Sequence, residues 1–311
     1  MDTLTDVISL LRPRTVLLGR MAAWGRWGVQ VPPQPGPTFY FVTSGQCWFR
    51  ADGGDLVGLG AGDYILSSRP MADRFVSEPG AATVLSDQAF KSSHDVEGEI
   101  RVGDPADGPA VRILGGLILC EPANADLLVD LLPRHIHLRA AEEGGARIGF
   151  LIAAIGEEAD NARPCRAAVL SRLIELLLIE TLRREAQSAL PHPGVLGGLG
   201  DPRLARALAD IHADVGRRWT VGELASRVGM SRAAFARHFA EAVGAAPVEY
   251  LLRWRMALAK DWLLQGRSSL EEIAFRIGYQ SASAFSTAFS NRVGCPPSEY
   301  ATRHTPASGL S

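Results

Sequence analysis

The chain has 311 residues, 47% of them hydrophobic and 21% charged, with a formal net charge of −2 at pH 7. That is enough length for two domains and enough apolar content for two cores, and no apolar run approaches the roughly 18 residues of a membrane span. The charge is divided unevenly. Residues 201 to 304 hold 14 Lys and Arg against 10 Asp and Glu, and the rest of the chain holds 18 against 24. An anionic partner is therefore expected for the C-terminal part alone.

The N-terminus carries Asp2 and Asp6 where a secretory signal needs bases, so a cytoplasmic protein with no membrane partner is expected. Its four cysteines, Cys47, Cys120, Cys165 and Cys295, show no metal-ligand or CxxC spacing and read as free thiols. Residues 14 to 120 are short apolar segments broken by turns. In "TFYFVTSGQCWFRADGGDLVGLGAGDYILSS" aromatic and β-branched residues alternate with polar ones between glycines, which predicts successive antiparallel strands of a small barrel or sandwich. From about residue 124 the pattern turns helical: "NADLLVDLL", then "EGGARIGFLIAAIGEEAD", then "RAAVLSRLIELLLIETLRREAQ". The apolar stripe on the last is wider than one packed helix requires. A dimer interface is the preferred reading, with burial inside the domain as the alternative. "SALPHPGVLGGLGDP", residues 188 to 202, has the composition of a linker. The chain thus divides into 1–187, a linker at 188–202, and a wholly helical 203–304. The fold class is α+β, a β-barrel with a helical region followed by an all-α domain.

An internal duplication lies in the helical part. Ala225, Val228 and Gly229 recur 49 residues later as Ala274, Ile277 and Gly278. Phe235, Phe239, Gly244, Pro247 and Tyr250 recur 50 residues later as Phe285, Phe289, Gly294, Pro297 and Tyr300. Each copy has the parts of a helix-turn-helix. An alanine allows close crossing, a glycine makes the turn, and Ser231 or Ser281 caps the second helix. Two phenylalanines four apart form the buried face, and the opposite face is free for a major groove of double-stranded DNA. On the first insertion helix that face carries Arg232 and Arg237, candidates for bidentate guanine contacts, with Ala233 and Ala236 leaving room for close approach. The second offers Ala282, Ser283, Ser286 and Thr287, none charged, and should read sequence weakly. Arg253, Arg255, Lys260 and Arg292 are candidates for phosphate contacts or surface ion pairs. Two such helices face one side of a duplex if about one turn, ~34 Å, separates them.

These repeated segments, "LASRVGMSRAAFARHFAEAVGAAPVEYLLRWRMALAKDWL" and "IAFRIGYQSASAFSTAFSNRVGCPPSEY", resemble the paired helix-turn-helix domain of AraC/XylS-type bacterial transcription regulators. Further upstream, "AAWG", "FYFVTSGQCWF", "LGAGDYILSSR", "RILGGLILCE" and "LLPRHIHL" are similar in order to the cupin-type sensor domain of one branch of that family. The resemblance implies a DNA-binding activator or repressor that forms a homodimer through its N-terminal part, answers to a small-molecule effector or chemical signal, and as an activator contacts RNA polymerase. One feature departs from metal-binding cupins: no histidine occurs before residue 94, and Asp63 and Asp73 are too few to hold an ion. No cofactor or metal is expected, and a cupin enzyme is the disfavoured alternative.

Other constellations have ordinary readings beside them. "GLGAGD", residues 58 to 63, sits between strands rather than in a βαβ unit, so a turn is expected. "HIH" at 135–137 lacks a third ligand nearby and reads as structural. Cys47 and Cys120 fall on barrel strands and would make a redox switch if they met; without basic neighbours, buried structural thiols are the competing reading. An effector pocket inside the barrel is assigned to Phe39, Phe41, Cys47, Phe49 and Tyr64, with alternation putting the first four on one face. A solidly packed core is the alternative.

Overall fold

The computed structural model describes residues 2–51, 54–86, 99–119, 134–139, 146–161, 163–187 and 194–304. They form two compact units. One takes residues 13 to 119 and 134 to 182; the other takes 2 to 12 and 183 to 304. Cys120 and the helix expected at "NADLLVDLL" lie outside the described residues.

The first unit is a two-layer β-structure, formed as its alternating sequence predicts. Its strands are β1 (Arg14–Ala23), β2 (Gly28–Val31), β3 (Thr38–Ser44), β4 (Gln46–Ala51), β5 (Val57–Gly60), β6 (Tyr64–Ser67), β7 (Asp73–Val76), β8 (Val84–Leu85), β9 (Glu99–Val102), β10 (Val111–Leu119) and β11 (His135–Leu138). One sheet runs β11-β6-β3-β10-β1-β9 and the other β5-β4-β7-β2-β8. The β1/β9 and β2/β8 pairs are parallel and the remaining pairs antiparallel. Met21, Tyr40, Val42, Ile65 and Ile113 of the first sheet meet Val29, Cys47, Phe49, Leu59 and Phe75 of the second in one apolar core. Gly45 makes the β3–β4 turn with φ +80°.

Two helices belong with the first sheet, one at Ala146–Asp160 and a longer one at Arg166–Gln187. The Thr15 hydroxyl on β1 bonds to the Ser171 carbonyl at 3.1 Å, and Arg20 donates to the Ala159 carbonyl at 3.0 Å. On the longer helix Leu170, Ile174, Leu177 and Leu178 are buried within the unit. The wide stripe is therefore mostly used inside this unit, which leaves Val169 and Leu176 outside, with Phe150 of the shorter helix 70% exposed.

The second unit is helical. Its N-terminal helix is α1 (Thr3–Leu11), and the helices just described in the first unit are α2 and α3. There follow α4 (Val195–Gly200), α5 (Pro202–Ala213), α6 (Val221–Arg227), α7 (Arg232–Val243), α8 (Pro247–Gln265), α9 (Leu270–Arg276), α10 (Ala282–Val293) and α11 (Pro297–His304). Two features differ from the sequence reading. Residues 194 to 202 are not open linker: Val195 and Leu196 are buried, and a Cβ on Gly198 would lie 2.7 Å from Val243. The glycines that look like flexibility there permit close helix packing. Helix α1, placed by sequence in the sensor part, packs with the C-terminal helices. Asp6 meets His212 at 3.2 Å and Arg12 pairs with Asp261 at 3.0 Å.

Candidate DNA interface and sensor cavity

The two helix-turn-helix units, α6–α7 and α9–α10, are built by the same devices at matching positions. Thr220 with Glu223 and Ser269 with Glu272 form capping boxes at the starts of α6 and α9. Sequence reasoning passed over this pair, although its T/S-x-x-E spacing repeats 49 residues apart. Gly229 and Gly278 take φ of +67° and +84° at the turns. Ser231 and Ser281 cap α7 and α10 by accepting from the amides of Ala234 and Ala284 at 3.3 and 3.1 Å. The buried faces also agree. Phe235 stacks with Phe239 and Phe239 with Tyr250 at centroid distances of 5.6 and 5.9 Å; the second copy repeats this with Phe285, Phe289 and Tyr300 at 5.6 and 5.5 Å.

The phenylalanines fix which residues face outward. On α7 Arg232, Ala233 and Arg237 are exposed and Ala236 half-buried. Among the described residues neither Arg232 nor Arg237 has a protein partner, which leaves both guanidinium forks available. On α10 Ser283 and Thr287 are exposed, with Ala282 and Ser286 half-buried. Thr287 and the neighbouring Ser290 return their hydroxyls to the helix carbonyls of Ser283 and Ser286. Thus one helix presents two cations and the other small neutral groups.

The four expected phosphate contacts separate. Arg255 is a correction: it is buried, its Nε donates to the Val215 carbonyl at 2.8 Å and its Nη2 to the Arg217 carbonyl at 2.9 Å. It clasps the loop after α5 and does not reach a phosphate. Arg253 and Arg292 meet at Glu249, at 3.1 Å and 2.6 Å, and their two guanidinium groups hold that carboxyl down to about 2. They are the surface ion pairs of the alternative reading. Lys260 is half-buried on α8.

The residues expected to line a pocket in the barrel lie elsewhere. Phe39, Phe41, Cys47, Phe49 and Tyr64 are all buried, and none lines a cavity of about 300 Å³ that opens between the two sheets of this unit. On β3 the alternation runs one residue out from the sequence expectation, whereas Cys47 and Phe49 of β4 do face the core. Tyr40 and Val42 face the core between the sheets, while Phe39 and Phe41 lie on the opposite face, where Phe41 packs on Tyr64 at 4.9 Å. An all-apolar stretch such as "FYFV" has no polar residue to mark its outer face. The cavity is instead walled by Met21, Val29, Val31, Tyr40, Phe75 and Ile113, with Gln34 and Ser86 as its polar side chains among the described residues.

Beside it lies a polar cluster unmarked by any motif. Asp73, 1% exposed, accepts from Tyr40 Oη at 2.8 Å, Thr38 Oγ1 at 2.9 Å and Ser67 Oγ at 3.2 Å. Burial pushes its carboxyl up, and the three hydroxyl bonds oppose that shift. Of the HIH pair, His135 lies 3.4 Å from Ser67 Oγ and His137 3.3 Å from Asp63. Burial, with the Asp63 charge adding to it, pushes the Cys47 thiol up to about 12, so it holds no reactive thiolate near neutral pH.

Comparison with known proteins agrees with both units. A cupin family matches residues 2–187 and a helix-turn-helix domain family matches residues 224–303. An AraC-like transcription regulator of Streptomyces lividans is 35% identical over 303 residues, covering 96% of this chain and 98% of the relative. The transcriptional regulator AlkR of Acinetobacter baylyi is 28% identical over 89% of this chain and 91% of its own. Among solved structures, the DNA-binding domain of AdpA in complex with a target DNA aligns at 31% identity and a TM-score of 0.31, covering 33% of this chain and 93% of that one. Identity is sustained across the whole length rather than over the duplicated helices alone, and the chain therefore belongs to the AraC family of transcription regulators, with a helix-turn-helix DNA-binding domain at its C-terminal end.

Proposed function

We propose that this regulator reads its operator mainly through α7 and is controlled by a small molecule held in the β-unit. Arg232 and Arg237 would take guanine edges, Ala233 and Ala236 would allow the close approach, and Ser231 would stay engaged as a cap. On α10 Ala282, Ser283, Ser286 and Thr287 would contribute shape and weak readout, with Ser281 as its cap. The observation that carries this reading is the pair of exposed arginines without protein partners among the described residues, on the face of α7 opposite Phe235 and Phe239. The protein would act in the cytoplasm as a homodimer, with Phe150, Val169 and Leu176 as apolar surface for the contact. As an activator it would engage RNA polymerase. An effector that binds two arrangements of the dimer unequally would shift the population that fits the operator.

The test is selection of genomic fragments by the purified full-length protein at fixed near-physiological salt, because phosphate contacts alone retain DNA non-specifically. Enrichment of a few promoters with a repeated half-site is expected. Arg237→Ala should then weaken the enriched site by about tenfold or more, one bidentate contact being worth ~1–3 kcal/mol, with an unchanged melting temperature. Equal affinity of the variant and the original protein for that site would remove Arg237 from the interface.

A further inference from the structure

We infer that the cavity of the β-unit takes a compact aromatic molecule bearing one oxygen acceptor, and that it rejects sugars and cations. This rests on the reading of that unit as the effector sensor and adds the ligand class to it.

The space has a sequence origin. Gly19 and Gly115 are direct partners across β1 and β10, and both lie on the face that carries Met21 and Ile113. Two paired positions without side chains leave a gap in an otherwise packed inner layer. The next residue across the sheet is Tyr40, paired with Gly115. A Cβ added at Gly115 would lie 3.2 Å from the Tyr40 ring, so the bare glycine lets that ring pack close to β10 and form one wall of the gap. What remains is about 300 Å³. A dry cavity of about 150 Å³ lined by aliphatic and phenyl side chains holds one benzene, so this one suits a molecule of about twelve non-hydrogen atoms.

The walls select its character. Tyr40 and Phe75 meet edge to face at 4.8 Å and 66°, a corner into which a flat ring packs by offset or edge contact. Val29, Val31 and Ile113 complete an apolar lining. The Tyr40 hydroxyl is turned away, donating to Asp73, so the cavity sees the ring and not the phenol. A polyhydroxylated ligand would leave several hydroxyls against valine and isoleucine without partners, a cost each of them adds separately. Among the described lining residues the polar side chains are few and both can donate: the Gln34 amide and the Ser86 hydroxyl. The Arg20 guanidinium lies on the other face of β1, on the Ala159 carbonyl. Gln34 uses one N–H on the Pro32 carbonyl at 2.9 Å. No carboxylate is among the described residues that line the cavity, so an ammonium ligand has no counter-charge there. One oxygen acceptor directed at these donors, with a ring in the aromatic corner, satisfies every wall.

The test is calorimetric titration of the full-length protein with 2-naphthol, 2-acetonaphthone, a naphthyl trimethylammonium salt and ribose. Saturable one-to-one micromolar binding is expected for the first two, with no heat from the others. Ile100→Trp fills the cavity from edge strand β9, where the side chain is only half-buried, and should weaken naphthyl binding at least tenfold while the melting temperature holds. Val31→Phe tests the same space from the second sheet, where the side chain is also half-buried, and Ile100→Trp decides the matter if that variant does not fold. Failure of both 2-naphthol and 2-acetonaphthone to bind, equal binding of ribose or the cation, or full binding by Ile100→Trp would overturn the assignment. Promoter selection repeated with and without 2-acetonaphthone separates the two readings. Naphthyl binding that leaves DNA binding unchanged preserves the ligand class and removes the sensing role. DNA binding that responds to other compounds, with no naphthyl binding, preserves sensing and removes the class.

Discussion

Asp73 and His212 are the two buried polar side chains whose surroundings set the terms for their units. Asp73 is held by three hydroxyls from β3 and β6, which join the second sheet to the first. Asp73→Ala would leave Thr38, Tyr40 and Ser67 without their acceptor, and unfolding titrations should show a loss of about 3 kcal/mol. His212 lies between Asp6 Oδ2 at 3.2 Å and Tyr250 Oη at 2.6 Å, stacked on Trp254 at 4.2 Å. A neutral ring that donates from Nδ1 to Asp6 and accepts from Tyr250 at Nε2 satisfies both contacts. Burial pushes its pKa down to about 3, against 6.5 for a free imidazole. Between those values the unfolded chain binds the extra proton, so this contribution to stability is complete above the unfolded value and is lost as pH falls. Urea unfolding at pH 5 should therefore show up to about 2 kcal/mol less stability from this residue than at pH 7, and His212→Gln should abolish that share of the difference.

At the scale of elements, the duplication is accurate in sequence but not equivalent in packing. Both turn glycines take positive φ, yet a Cβ on Gly229 would meet nothing within 4 Å. A Cβ on Gly278 would lie 2.2 Å from the Gly216 carbonyl oxygen and 2.7 Å from an Arg255 nitrogen. The same loop that Arg255 clasps thus presses against the second turn. Gly229→Ala should cost about 1 kcal/mol, the conformational penalty alone, whereas Gly278→Ala should cost more than about 3 kcal/mol because backbone must move. Equal losses in parallel urea titrations would count against this difference. The turns, caps and phenylalanine faces were all legible beforehand because each depends on residues close in sequence. The fate of Arg255 was not, because its two carbonyl partners lie some forty positions upstream and leave no trace in the spacing around it.

Across the whole chain, the two units differ in how much their sequences disclose. The helical unit was readable nearly residue by residue, since a repeated pattern states its own register. One part was missed: α1 belongs to this unit, with Val7, Leu10 and Leu11 buried. Leu11→Ala, at a side chain 1% exposed, should cost about 3 kcal/mol, and calorimetry should register it in the transition that contains the α5 and α8 helices. In the β-unit the strands were legible from alternation and glycine turns, but the cavity was misplaced onto Phe39, Phe41 and their neighbours. Sequence alone determined the α+β class, the duplication, the capped insertion helices and the arginines on the first of them, because these follow from local periodicity and backbone geometry. Tertiary structure alone decided which face of an all-apolar strand turns inward, which arginines are already engaged, and that two glycines ninety-six positions apart open one cavity. Those are matters of long-range pairing, where a shift of one residue exchanges inside for outside.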